Sequence, residues 1–259
     1  MLATRSWGPS AEECVVCIHG ITQHGGIFTE LGQRLAALGH AVVAVDLRGH
    51  GESERLPPWN LDTHLSDLFE TLDSLEIERV IWVGHSLGGR LAAAAAAREP
   101  ERTSKLVLLD PAVQVPAASA LQSAEVERLD WSFATPAGAI NALLSSGQMV
   151  APSHDVVAAY VENDVREGPD GRLRFSFSPS AAVVAWSEMV LPAPPIASLP
   201  TLVVRPEVPL IDSSSHSARY ERELGDLLTV VTVPNGHNVL WEAPQETISA
   251  IEGFVGRAA

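Results

Sequence analysis

At 259 residues with 46% hydrophobic side chains, the chain is long enough for one large α/β domain, and no linker composition divides it. Its 32 acidic residues against 17 basic ones leave a formal charge of −15, which argues against nucleic acid or an anionic membrane surface as partner. No apolar run approaches the roughly 20 residues of a membrane helix, and residues 1–9 hold no apolar segment before a small-residue cleavage site. The expectation is therefore a soluble cytoplasmic protein.

Residues 14–18 are the first strand that the pattern predicts. Cys14 and Cys17, the only cysteines, lie on it three apart and so point to opposite faces. There they can neither share a metal nor easily form a disulfide, and they read as two buried thiols. The strand ends in His19-Gly20-Ile21-Thr22, with Gly25 and Gly26 close behind and a helix predicted over 27–38. A second β run, 41–45, ends in Asp46-Leu-Arg-Gly-His-Gly-Glu-Ser53, whose glycines mark a tight turn. From 60 to 75, Leu61, Leu65, Leu68, Leu72 and Leu75 recur at spacings of three and four, which predicts an amphipathic helix.

The apolar run 79–83 then leads into Gly84-His85-Ser86-Leu87-Gly88 and a helix to Arg98. Strand, sharp turn, helix is the order in which a Gly-x-Ser-x-Gly serine sits in a strained conformation at the tip, with glycines on either side allowing strand and helix to approach. The hydroxyl points out of the sheet, and the helix N-terminus offers the Leu87 amide and a favourable dipole to an anion. Ser86 is the candidate nucleophile. Another buried strand, 105–109, closes with Asp110-Pro111. Strands alternating with helices at this spacing imply right-handed βαβ units and a mostly parallel sheet.

That alternation breaks over residues 112–197. Helices are predicted near 119–131, 136–147, 153–165 and 180–190, with a Gly168-Pro-Asp-Gly171 turn and no parallel-sheet strand. The segment reads as a helical cap inserted into a core of residues 1–111 and 198–259, with Trp131 and Trp186 as candidates to line a pocket. Strands resume at 201–205 and 227–233, followed by Pro234-Asn-Gly-His-Asn-Val-Leu-Trp-Glu-Ala-Pro244 and a final helix over 244–256. In an open parallel sheet the carboxyl ends of the strands share one edge. Ile21, Ser86 and His237 therefore belong to loops on the same side.

The chain resembles the α/β-hydrolase superfamily along nearly its whole length: at the Gly84–Gly88 turn, the His19-Gly20 loop, the Asp46–Ser53 turn and the Gly-His-Asn-x-x-x-Glu-x-Pro loop. The resemblance implies a mostly parallel sheet flanked by helices, His237 as general base, and an oxyanion hole formed by the amides of Ile21 and Leu87. It assigns Asp46, Arg48 and His50 to scaffolding; His19, His24 and His85 lie near the site by their positions in the sequence. A third group must hold the imidazole in one tautomer. The usual Gly-x-x-Asp after strand 201–205 is replaced by Pro206-Glu-Val-Pro209, so Asp110 is the favoured acid, with Asp212 and Glu207 as displaced alternatives. Only about 13 residues precede strand 14–18, which predicts a shortened sheet with at most one leading strand.

These features imply a serine hydrolase acting on a carboxylic ester of a small or medium apolar acid, requiring neither a metal nor an organic cofactor. Lactone, thioester and C–C bond hydrolysis and perhydrolysis share the same motifs. So does a binding protein with the same fold and slow turnover. A small-molecule ester or lactone is the partner these readings name.

Overall fold

The computed structural model describes residues 1–146, 157–158, 161–162, 164–209 and 214–256. The strands, in chain order, are β1 Ala3–Trp7, β2 Glu13–Ile18, β3 Ala41–Asp46, β4 Arg79–His85, β5 Thr103–Leu109, the short β6 Ser132–Phe133, β7 Val165–Glu167 and β8 Leu173–Phe175, then β9 Thr201–Pro206 and β10 Leu228–Val233. Among the described residues, seven of them form one sheet in the order β1-β3-β2-β4-β5-β9-β10. Only β1 runs antiparallel, against β3; the pairs from β3 through β10 are parallel. The single leading strand is what the short front segment predicts.

Alternation along the central strands sorts the core into two halves. Val16, Ile18, Trp82, Leu106 and Leu108 face one side; Val15, Cys17, Ile81, Val83, Val107 and Leu109 face the other. Cys14 and Cys17 fall on opposite sides, both buried and unlinked, and burial pushes the Cys14 thiol up to about 12. These strands are apolar along their whole length because helices cover both faces.

The helices that pack on this sheet include α1 Thr29–Ala37, α2 Leu61–Ser74, α3 Leu87–Arg98, the helix Ser214–Leu224 against β10, and the last helix of the chain, Pro244–Val255. Asn60 caps α2, its side chain accepting from Thr63 N–H at 2.9 Å, which satisfies one orphan donor of the first turn. At the other end of the chain, buried Lys105 donates to the carbonyls of Phe254 and Val255 at 3.2 and 2.9 Å. A cation there complements the negative end of the terminal helix.

Register puts the strand ends level. Ile18 pairs with Gly84, His85 with Leu109, and Leu109 with Val204. The loops after β2, β4, β5 and β9 consequently leave the sheet along one edge.

Between β5 and β9 the described residues contribute nothing to the large sheet. They hold α4 Ala117–Glu127, α5 Pro136–Ser146 and α6 Pro179–Glu188, together with a separate antiparallel sheet in the order β6-β8-β7. The small sheet corrects the purely helical expectation for this segment. The Gly168–Gly171 turn closes a hairpin: Gly168 N–H donates to Arg172 O at 2.8 Å, and Gly171 takes a φ of 73°. Strands of two or three residues are too short to show a period of two, so the glycines read as a break between helices. The helix predicted over 119–131 ends at Glu127. The one predicted over 153–165 falls largely outside the described residues, and Val165 opens β7 instead. No described helix is long and apolar enough to cross a membrane.

Candidate active site

Ser86 sits between β4 and α3 with φ 54° and ψ −116°, a conformation that costs a non-glycine residue about 1–3 kcal/mol. Main-chain bonds hold it there. Ser86 N–H donates to Leu109 O at 3.1 Å, while Ser86 O accepts from Gly89, Arg90 and Ala112 at 3.0, 3.2 and 3.1 Å. The flanking glycines are required by space: a Cβ on Gly88 would meet Ile18 O at 2.0 Å, and one on Gly84 would meet Gly88 O at 2.2 Å. The helix behind the serine therefore starts against the end of β2.

His237 follows β10, and its Nδ1 lies 2.6 Å from Asp110 Oδ2. Asp110 is 5% exposed, has φ 38°, and is anchored by its N–H to Val204 O at 2.8 Å. A carboxylate on Nδ1 leaves Nε2 as the nitrogen free for proton exchange. The ring of His237 lies 4.8 Å from that of His85, the residue before Ser86. Of the other candidate acids, Glu207 is exposed beyond the end of β9, with no contact to His237 among its hydrogen bonds, and Asp212 lies outside the described residues.

The loop after β2 borders the serine. A Cβ placed on Gly20 would stand 3.2 Å from Ser86 Cβ and 3.3 Å from His85 Nδ1, and Ile21 is buried beside it. Leu47 N–H donates to His19 Nε2 at 2.9 Å, which leaves the proton on Nδ1 to donate to Gly20 O at 2.7 Å. Complete burial keeps this imidazole neutral, its pKa well below the ordinary histidine range. In a trans peptide the N–H points away from the carbonyl, so the clamp on Gly20 O fixes the direction of the Ile21 N–H. His50 bonds the Ile21 carbonyl through Nε2.

The turn after β3 carries structure. The Asp46 carboxylate accepts from Gly25 and Glu52 N–H at 2.7 and 2.9 Å, and Arg48 grips Asp67 with two bonds of 2.7 and 2.6 Å. Farther round the loop, His24 Nε2 lies 2.8 Å from Asp164 Oδ1, both side chains buried.

Trp131 and Trp186 are half-buried in the inserted segment. The indole of Trp131 donates to Val126 O at 3.0 Å and meets Phe133 and Phe175 edge-on, so it packs the segment's own interior. Trp186 lies beside Glu127, whose carboxyl burial pushes up to about 7. Sequence reasoning passed over Glu127, Arg90 and Gln23, because only the fold places their partners. Arg90, buried at the start of α3, donates to Val113 O and, at 2.9 Å, to Pro192 O. It thereby ties both ends of the inserted segment to the helix behind Ser86. Among the described residues, no cluster of three or more His, Cys, Asp or Glu is arranged to hold a metal.

Residues 13–145 match the model of the alpha/beta hydrolase fold family. The chain belongs to that family. It is 32% identical over 259 residues to "Lipase LipV" of Mycobacterium tuberculosis, covering 98% of each chain. To the 2-(acetamidomethylene)succinate hydrolase of Mesorhizobium japonicum it is 30% identical over 244 residues, 92% of this chain and 86% of that one. Among solved structures, E-2-(acetamidomethylene)succinate hydrolase superposes with a TM-score of 0.84 at 26% identity, covering 99% of this chain and 95% of the other. Membership and these relatives make the protein a hydrolase.

Proposed function

We propose that this hydrolase cleaves carboxylic esters of small to medium apolar acids through an acyl-enzyme. Ser86 is the nucleophile. A serine hydroxyl is weak at neutral pH and needs a base at hand; His237 takes its proton and later returns it to the leaving alcohol. Asp110 holds His237 in the Nδ1–H tautomer and stabilises the imidazolium that forms. The amides of Ile21 and Leu87 receive the negative charge that develops on the carbonyl oxygen, where preorganised donors act most strongly. Water activated by His237 then releases the acid.

Residues 112–197 are the cap in this reading, with Trp186 bordering the acyl pocket and Trp131 packing the cap's own interior. Arg90 holds the cap's two stems.

The observation that carries the reading is the 2.6 Å contact of His237 Nδ1 with Asp110 Oδ2, made beside a serine of positive φ. That an acid, an imidazole and a strained serine come from three different loops at one edge of the sheet supports the reading. A relative named as a lipase, aligned over 98% of the chain, supports ester as the bond.

The test is a p-nitrophenyl acyl ester series from acetate to decanoate. Saturable, chain-length-dependent turnover with an initial burst supports the reading; absence of turnover with every member overturns it.

One relative favours a second reading. The 2-(acetamidomethylene)succinate hydrolase, matched over most of both chains, is named for a substrate bearing carboxylates. If this chain shares that preference, an ester carrying two carboxylates is hydrolysed faster than its neutral analogue, where the first reading predicts the reverse.

A further inference from the structure

Three loops meet at one buried amide. Gln23 is 6% exposed. Its Oε1 accepts from Gly20 N–H at 2.9 Å and lies 2.8 Å from His85 Nδ1. Its Nε2 donates to Asn238 Oδ1 at 3.1 Å. The second nitrogen of His85, Nε2, lies 2.9 Å from the main-chain carbonyl of His237. Each of these partners adjoins a residue of the proposed chemistry: Gly20 precedes Ile21, His85 precedes Ser86, and Asn238 follows His237.

Electrostatics sets how the brace works. Burial first, and the neighbouring His237 second, push the His85 pKa down to about 3. A neutral imidazole carries one N–H, so His85 donates to only one of its two oxygens at a time. Gln23 Oε1 must then serve as the fixed acceptor for Gly20 N–H, since a buried amide left unpaired is destabilising. That requirement also orients the Gln23 nitrogen toward Asn238.

From this junction we infer that Gln23, acting with His85, is a positioning residue that sets the spacing between the oxyanion donor, the nucleophile and the general base. It touches no reacting atom. The inference rests on Ser86 and His237 acting as nucleophile and base. A misplacement of about 1 Å in such a constellation lowers turnover on the order of a hundredfold, and no side chain of similar size without polar atoms can hold all three loops.

The experiment compares wild type with Gln23→Leu, which fills much the same space and removes every polar contact of the junction. Gln23→Leu is expected to lower kcat about a hundredfold with KM changed less than about threefold. A residue that merely packs would lower the melting temperature and leave kcat of the folded protein alone. Should Gln23→Leu not fold, Asn238→Ala cuts one arm of the junction, with a fall of about tenfold in kcat expected. A kcat within about twofold of wild type in folded Gln23→Leu, or in Asn238→Ala where that variant decides, overturns the inference. Fluorophosphonate labelling of the same samples separates the two levels. Wild type and Gln23→Leu labelled at the same rate sinks this inference alone, whereas an unlabelled wild type sinks the serine-hydrolase reading with it.

Discussion

The Asp110 carboxylate lies 2.6 Å from His237 Nδ1 although 127 residues of chain separate them. Both are held from below: Asp110 by its N–H to Val204 O at 2.8 Å, and His237 by its carbonyl, 2.9 Å from His85 Nε2. Asp110 therefore stands at the end of β5, beside β9 in the sheet, beyond whose end Glu207 lies.

This placement makes Asp110→Asn the sharpest probe of the acid. An amide keeps the shape and presents a donor to the imidazole, favouring the wrong tautomer, so kcat is predicted to fall about 10⁴-fold with the fold intact. Asp212→Asn and Glu207→Gln are predicted to stay within about threefold of wild type, since neither is part of the triad in this account. Steady-state kinetics on one activated ester checks all three. A large loss at Asp212 or Glu207 with a benign Asp110→Asn would reassign the acid.

Strain at Ser86 gives a stability prediction. Its φ of 54° costs a non-glycine residue about 1–3 kcal/mol, and glycine relieves it against an entropic penalty of about 0.5–1 kcal/mol. Ser86→Gly is predicted to be inactive yet more stable by about 1 kcal/mol, a rise of roughly 2–4 °C in Tm. Ser86→Ala, which keeps the strain, is predicted to melt close to wild type. Calorimetry of the three proteins decides; equal melting temperatures for glycine and alanine would show that the turn at Ser86 stores no strain.

Much of this frame is legible in the chain itself. Apolar runs closed by glycine after β2 to β4, and by Asp110-Pro111 after β5, locate these four strands, and the Gly84–Gly88 spacing marks the turn at Ser86, because backbone sterics there act over five residues. Asp110 is reachable only by weighing it against Asp212 and Glu207, since register in space, not spacing in sequence, brings it to His237. Gln23 carries no local signal at all. Its partners are Gly20, His85 and Asn238, and the last two lie 62 and 215 residues away. The antiparallel sheet in the inserted segment escapes for the opposite reason: strands of two and three residues hold too few positions to reveal a period.

Glu127 predicts a pH dependence of stability. Burial raises its carboxyl from 4.5 to about 7, outweighing the Trp186 indole, which pulls it down. Between those values the folded state binds the proton and the unfolded state releases it, so stability falls as pH rises from 4.5 and levels off above about 7. The full penalty is on the order of 3 kcal/mol. Glu127→Gln is predicted to melt higher than wild type at pH 8, with the gap closing as pH drops to 4.5. Thermal melts across pH 4–8 test this; a gap that does not change with pH contradicts a buried, titrating Glu127.

The proposed mechanism turns on Ser86 being an activated nucleophile. Intact-protein mass spectrometry after brief exposure to a fluorophosphonate, with peptide mapping, reads it directly on wild type, Ser86→Ala and Asp110→Asn. One adduct is predicted on wild type, mapped to Ser86, with none on Ser86→Ala and greatly slowed labelling of Asp110→Asn. A folded wild type that takes up no adduct, or a single adduct that persists in Ser86→Ala, would contradict it.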